Sequence, residues 1–354
     1  LLFFQAEDGI RDLVRSRGLG DVYKRQIFKH DPKKIENELK TIKKYDTKVD
    51  NSPNIIIFIL ESMSREYWGS MNKDKSNYLS FTPFLDSLSS HSLIFPNSFA
   101  TSRKSIHGMP SVLAGIPSFE VAYTSSRYSK QKIESIVSIA NKMDYETAFF
   151  HGAANGSMGL MGFSNTLGFD NYFGRNEYNN DNDFDGYWGI WDEPFLQFVK
   201  SKLDEKKQPF LGTIFTLTSH EPYIIPSKYE DVFEKGEIDM HRCVKYTDYS
   251  LRKFFDKAKK SDWFKNTIFI FTADHTNQSF YSDYKKIINR FATPIMIYKP
   301  NSNLKGVDYR LASHMDIYPS FAELIGYDKP FRSWGESLFS EYSGDEYVIN
   351  YFAE

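Results

Sequence analysis

Several polar residues of this chain stand directly behind apolar runs, where a β-strand would end, and their types suit cation and phosphate chemistry. Glu61 follows NIIIFIL (54–60). Asp274 and His275 follow TIFIFTA (267–273), His220 follows FLGTIFTLTS (210–219), and His151 follows ETAFF (146–150). In open α/β sheets ligands bind beyond the carboxyl ends of the strands. One Glu or His in such a place is ordinarily a solvated loop residue, and Asp-His alone also fits a helix cap followed by a turn. Together they point at one rim. Glu61, Asp274 and His275 supply two carboxylates and an imidazole, a donor set for a hard to borderline divalent ion such as manganese, magnesium or zinc.

Ser105 lies in SRKSIHGMPSVLAGIP (102–117), at the start of an apolar helical pattern. A serine there sits at the positive end of a helix, and coordination to a metal would favour its alkoxide. Arg103 and Lys104 beside it are cationic donors suited to phosphoryl oxygens. The competing reading is that Ser105 merely caps the helix. His314 in HMDIYPS (314–320) has two readings, a residue behind the metal site or a helix cap. His91, His107 and His241 read as packing or exposed residues, and Cys243 as a small buried apolar one. Tyr178, Tyr187, Trp188 and Trp191 read as loop packing in preference to a cover over lipid or sugar.

The elements that must position these residues are legible from periodicity. The run at 54–60 is continuously apolar and β-branched, as in a strand buried on both faces. Strands are expected at 146–150, 210–217, 267–272, 294–298 and, cut short, 346–352. Helices are expected at 82–90 (Thr82 as cap, Pro83 first), 105–114, 133–142, 193–203, 241–259 and 316–325, the last closed by Gly326. Residues 176–191, rich in Asn, Asp, Gly and Tyr, read as a long surface loop. The alternation predicts an α/β sandwich with a mainly parallel central sheet flanked by helices.

Composition bounds the alternatives. The 354 residues are 41% hydrophobic, enough for one large core with a small appendage. A net charge of −2 gives no field directed at nucleic acid, which is not an expected partner. One cysteine excludes an internal disulfide. No run of 18 apolar residues occurs to span a membrane. Residues 1–26 resemble the peptide of a translated sequencing adapter and are set aside, the alternative being an amphipathic helix. Residues 27–52 read as a linker, 53–327 as the catalytic domain, and 328–354 as a truncated C-terminal subdomain.

The ordered motifs NIIIFILES (54–62), TPFLDSLSSHSLIFPNSFA (82–100), SRKSIHGMPSVLAGIPS (102–118), FFHGAANGSM (149–158), FTLTSHEPY (215–223), YTDYSLRKFF (246–255), TIFIFTADHT (267–276) and HMDIYPSFAELIGY (314–327) resemble the sulfatase-like branch of the alkaline phosphatase superfamily. The resemblance is strongest to its lipoteichoic acid synthase and phosphoglycerol transferase group. It implies an alkaline-phosphatase-like fold, with Glu61, Ser105, Asp274 and His275 as ligands of one divalent ion, manganese foremost and magnesium or zinc as alternatives. It implies Ser105 as nucleophile, His220 as substrate contact and proton donor, and His151 as a second substrate-side histidine. It also implies a missing N-terminal membrane anchor, with the catalytic domain outside the cytoplasmic membrane and a lipid or glycan phosphodiester as substrate.

The sequence departs from that group at GSMGLMGFSN (156–165), where a Trp-Asn-Arg segment gripping phosphate is expected; Asn155 is the candidate for a polar contact in its place. FDGYWGIWDEPF (184–195) resembles the form of Bacteroidota homologues. Ser105 is followed by Ile106, His107, Gly108 and Met109, without the x-Pro-x-Arg needed to make formylglycine, so sulfate-ester hydrolysis by that route is not expected. A single cysteine also argues against the disulfide-rich phosphoethanolamine transferases. The expected reaction is a two-step transfer through phospho-Ser105. The alternatives are a phosphodiesterase, phosphonate or sulfate-ester hydrolase, and a non-catalytic domain binding anionic lipid or glycan.

Overall fold

The computed structural model describes residues 52–75, 78–341 and 347–351. The first 26 residues and nearly all of the expected linker lie outside them. In chain order the regular elements are β1 (Asn54–Leu60), α1 (Pro83–Ser89), β2 (Leu93–Ile94), β3 (Ser98–Phe99), α2 (Ser105–Ala114), α3 (Ile136–Lys142), β4 (Glu146–His151), α4 (Leu160–Leu167), β5 (Asn171–Phe173), α5 (Arg175–Tyr178), α6 (Asp192–Asp204), β6 (Phe210–Phe215), α7 (Met240–Ala258), β7 (Thr267–Ala273), β8 (Ile295–Tyr298), β9 (Gly306–Val307), β10 (Ala312–Ser313) and α8 (Ile317–Leu324). The sheet order is β5-β4-β6-β1-β7-β8-β2-β9, with β3 and β10 paired separately.

The strand β1 explains the layers. It pairs in parallel with β6 on one side and β7 on the other, so both its edges are hydrogen-bonded. Ile55, Ile57 and Ile59 pack with Met109, Val112 and Leu113 of α2 and with Ile317 and Phe321 of α8. Ile56, Phe58 and Leu60 pack with Leu196 and Val199 of α6 and with Val244, Leu251 and Phe254 of α7. Period-two alternation thus divides one apolar run between two helical layers. Each fully buried Ile or Phe contributes about 1.5–3 kcal/mol, so the run holds the sandwich together from its middle. The expected α/β class, with a mainly parallel sheet between helices, is what is observed.

Three details differ from expectation. The edge beyond β7 turns antiparallel: β8 pairs with β7, and β2 with β8, in that sense. No α-helix occurs between β7 and β8, and a parallel return ordinarily takes such a crossover. The described part of the expected 346–352 strand, residues 347–351, is not a strand, though Tyr351 N–H donates to Thr101 O at 2.7 Å; Glu346 and Phe352 lie outside the described residues. Thr82 does not cap α1, because its hydroxyl donates to Tyr67 O at 3.2 Å. The free N–H groups of Phe84 and Leu85 instead donate to the Asp248 carboxylate on α7, both at 2.9 Å.

The 176–191 segment is more ordered than a plain loop. Asp185 Oδ1 accepts the N–H groups of Tyr187, Trp188 and Gly189 at 2.8, 2.7 and 3.0 Å. A bridge Phe184–Ile190 closes it on itself, and a bridge Ala153–Gly189 fastens it just beyond the end of β4.

Candidate active site

Register places the first two ligand candidates. β1 and β7 pair so that Leu60 is opposite Ala273, and the next residues, Glu61 and Asp274, leave the same sheet end side by side. Ser62, at φ 55°, turns the chain here. Its N–H donates to Asp274 Oδ1 at 2.8 Å and its hydroxyl to Glu61 Oε1 at 2.6 Å. His275 Nδ1 is 2.9 Å from Thr276 O. A carbonyl only accepts, so Nδ1 carries the proton and Nε2 presents a lone pair.

That Nε2 lies 3.2 Å from Asp274 Oδ2 and 3.7 Å from Glu61 Oε1. All three side chains are buried, with ligand atoms within 4.8 Å of one another. Asp274 Oδ2 has no hydrogen-bond partner. Burial, then the neighbouring Asp274 charge, pushes the Glu61 carboxyl well above the usual carboxylate range. Two carboxylates and a lone pair aimed at one buried point repel one another unless a cation lies between them. The residues fit a divalent ion.

Ser105 joins this group because it is not a cap. It is the first residue of α2, and Lys104 holds the cap position without a side-chain bond. The Ser105 hydroxyl lies 3.2 Å from His275 Nε2 and 3.5 Å from Glu61 Oε2. Close approach of α2 to the end of β7 requires glycine one turn on, since a Cβ on Gly108 would stand 2.2 Å from Asp274 O.

The loop after β6 delivers His220. Glu61 N–H donates to Thr216 Oγ1 at 2.9 Å, and Ser219 Oγ donates to Glu61 O at 2.5 Å. Buried Asp192 accepts Leu217 N–H and Thr218 N–H at 2.8 and 3.2 Å, and the Thr247 hydroxyl at 2.7 Å. Burial still raises the Asp192 carboxyl above its ordinary range. His220 Nδ1 is 2.9 Å from Glu221 O, which leaves Nε2 for other work. The Trp188 ring lies 4.2 Å from the His220 ring, and its Nε1 donates to Glu221 O at 2.7 Å.

A cavity of about 550 Å³ opens over these groups. Arg103, Lys104, Ser105, His220 and His275 line it, with Thr124, Ser125, Met158 and Gly159. The segment lacking Trp-Asn-Arg therefore contributes Met158 and Gly159 to the wall. Burial and nearby Arg290 hold the Arg103 guanidinium below its ordinary basicity.

Other expected site residues lie apart from the cavity. His151 is fully buried, stacked on Phe215 at 4.6 Å, with Nδ1 3.2 Å from Phe215 O and Nε2 unpartnered. Burial lowers it to about 4, so it is neutral at pH 7. Asn155 donates to both Glu177 oxygens at 3.0 and 2.9 Å and is not among the cavity-lining residues. His314 is buried, 3.1 Å from Thr293 Oγ1, and within electrostatic reach of Asp274. The cap at this turn is Ser313, whose hydroxyl accepts Met315 N–H at 3.2 Å.

Sequence reasoning missed Thr124 and Ser125, which sit in a stretch without periodicity. It also placed Trp188 in loop packing, although an aromatic cluster beside polar turn residues was a visible signal. Asp192 was read as lying just outside a helix.

The family described as Sulfatase matches residues 53–327. The chain belongs to the sulfatase family. Lipoteichoic acid synthase 1 of Bacillus subtilis is 26% identical over 43% of this chain and 27% of its own length. Phosphoglycerol transferase I of Escherichia fergusonii is 25% identical over 84% of this chain and 40% of its own. The chain thus spans well under half the length of these relatives. A protein of the alkaline phosphatase superfamily from Vibrio parahaemolyticus superposes with a TM-score of 0.74 at 28% identity, covering 85% of this chain and 72% of that one. Family and relatives together mark the chain as an enzyme of this superfamily.

Proposed function

We propose that the chain transfers a phosphoglycerol-type group from a lipid phosphodiester through a covalent phosphoserine at Ser105, at the outer face of the cytoplasmic membrane. The observation that carries this reading is the Ser105 hydroxyl. It is free of capping, 3.2 Å from His275 Nε2 and 3.5 Å from Glu61, on the wall of a cavity shared with Arg103, Lys104 and His220. A divalent cation held by Glu61, Asp274, His275 and Ser105 would supply Lewis acidity that lowers the pKa of the hydroxyl, with manganese the first candidate and magnesium or zinc the others.

In the first step Ser105 Oγ, its proton released to solvent, forms a bond to phosphorus. Arg103 and Lys104 hold the non-bridging oxygens. The phosphorus–oxygen bond to the lipid alcohol breaks, and protonated His220 gives that oxygen its Nε2 proton. In the second step an acceptor hydroxyl attacks phosphorus, His220 takes its proton, the phosphorus–oxygen bond to Ser105 breaks, and Ser105 Oγ recovers its proton from solvent. His151 and Asn155 would act on the substrate only through the walls, given their burial and existing bonds. The missing x-Pro-x-Arg after Ser105 favours phosphorus over sulfate chemistry.

The test is a panel of a phosphodiester, a phosphomonoester and a sulfate ester, assayed with manganese, magnesium or zinc. Metal-dependent turnover of the diester, lost in Ser105→Ala by about a thousandfold or more, is expected. Turnover of the sulfate ester alone, or full activity in Ser105→Ala, would refute the reading. Products with and without a glycerol or glycan acceptor separate transfer from hydrolysis.

A further inference from the structure

Beside the reaction cavity lies a second one, of about 260 Å³, lined by Arg103, Asn277, Ser279, Lys285 and Arg290. Arg103 lines both, so the two spaces share a wall. Its Nη2 donates to Asn277 O at 3.3 Å, while its solvent-shielded Nε has no partner. Among the described residues, no carboxylate lies within ion-pair distance of Arg103, Lys285 or Arg290. Asp283, the nearest acid in sequence to Lys285, is held by Lys75 and Lys286 at 3.1 and 2.7 Å.

Buried Glu66 acts on Lys285 electrostatically. Its Oε1 is taken by the N–H groups of Phe280 and Tyr281, at 2.8 and 2.6 Å. The walls are anchored to the reaction site, since the Thr276 hydroxyl, next to His275, donates to Arg290 O.

Three like charges around one concavity repel one another, with Lys285 exposed and the two arginines half-buried. Two guanidiniums and an ammonium with no carboxylate in ion-pair contact match a tetrahedral oxyanion, with Asn277 as a neutral polar neighbour and Ser279 bonded to the Glu66 carboxyl behind it. The reacting phosphoryl group is already served by Lys104, Ser105 and His220, with Arg103 on the wall between the two spaces and able to face both. We propose that Arg103, Lys285 and Arg290 form a second anion subsite, which takes another phosphate of the same substrate, so that the preferred substrate carries phosphate beyond the reacting one. This rests on the phosphoryl-transfer reading above.

The test uses Lys285→Gln/Arg290→Gln, which leaves the reaction cavity's own lining intact. Phosphatidylglycerol and phosphatidylglycerol phosphate in mixed micelles differ only by the extra phosphate. The wild type should prefer the latter by about tenfold or more in kcat/KM, the scale of one or two charge-assisted hydrogen bonds. The double variant should lose that preference through KM, with kcat kept and turnover of bis(p-nitrophenyl) phosphate unchanged. Calorimetry with inorganic phosphate in EDTA should show binding to wild type and Ser105→Ala, weakened about tenfold or more in the double variant.

No preference, or a preference surviving in the double variant, overturns the proposal. Weakened binding of inorganic phosphate with no change in KM also overturns it, since that marks a site for a free anion. Failure to turn over bis(p-nitrophenyl) phosphate counts against the transfer reading instead, and calorimetry still reads the subsite.

Discussion

The reaction centre is a set of charges that oppose one another in the protein alone. Burial, then the Asp274 charge, raises the Glu61 carboxyl well above its ordinary range, so a cation competes there with a proton. Metal affinity should therefore fall as pH falls. Manganese should raise the melting temperature more at pH 8 than at pH 5, and a metal-induced shift independent of pH would contradict this. Trp188 packs at 4.2 Å on His220 and shares Glu221 O with it. In Trp188→Ala the histidine loses its wall, and kcat on a phosphodiester should drop by about threefold to tenfold, a fraction of what a whole acid–base group supplies. Trp188→Phe should keep most activity. If the alanine variant is unimpaired, Trp188 is only packing.

Two elements, α2 and the loop after β6, set the precision of the site. The helix reaches the end of β7 because Gly108 offers no Cβ against Asp274 O. Alanine has the better helix propensity by about 1 kcal/mol, yet the obstructing atom is backbone and cannot swing away. Gly108→Ala should cost about 1–3 kcal/mol in denaturant unfolding and weaken manganese binding about tenfold or more in calorimetry. A variant as stable as the wild type would show that the helix start is free to move.

The strands carrying Glu61, Asp274 and His275 were legible because burial on both faces forces continuous apolar runs, and a polar residue ends each run abruptly. The two-residue strands β2, β3, β9 and β10 are too short to show a period. The antiparallel edge depends on what the β7–β8 connection lacks. Thr124 and Ser125 reach the cavity from a stretch whose path only tertiary packing decides. Ser105 has the composition of a cap, and its release from capping became visible only with its neighbours in place.

Across the whole molecule, buried titratable groups pull stability in opposite directions. Glu66, Asp248 and Asp316 are raised to about 7, chiefly by desolvation. His151, His241 and His314 are lowered to about 4 by the same cause. For the carboxyls the folded chain holds the extra protons between roughly pH 4 and 7, so their contribution falls as pH rises through that window. For the histidines the unfolded chain holds them between roughly pH 4 and 6.5, so theirs rises. The two sets nearly cancel until the histidines are spent, and stability should then decline toward pH 7.5. Asp248→Asn removes one member of the first set. Its stability relative to wild type, by urea unfolding, should improve from pH 5 to pH 8; a constant gap would mean that Asp248 titrates normally.

The pairing of Leu60 with Ala273 has a consequence in time. Glu61 and Ser105 are synthesised early, but their partners arrive only when the strand ending at Ala273 has been made and has docked beside β1. Contacts so distant in sequence are slow to form. On the ribosome the cation cluster therefore cannot assemble until His275 has emerged. Ion capture would then report the docking of β7 beside β1, before β8 and β9 are added, making a metal-sensitive signal a clock for this chain's folding.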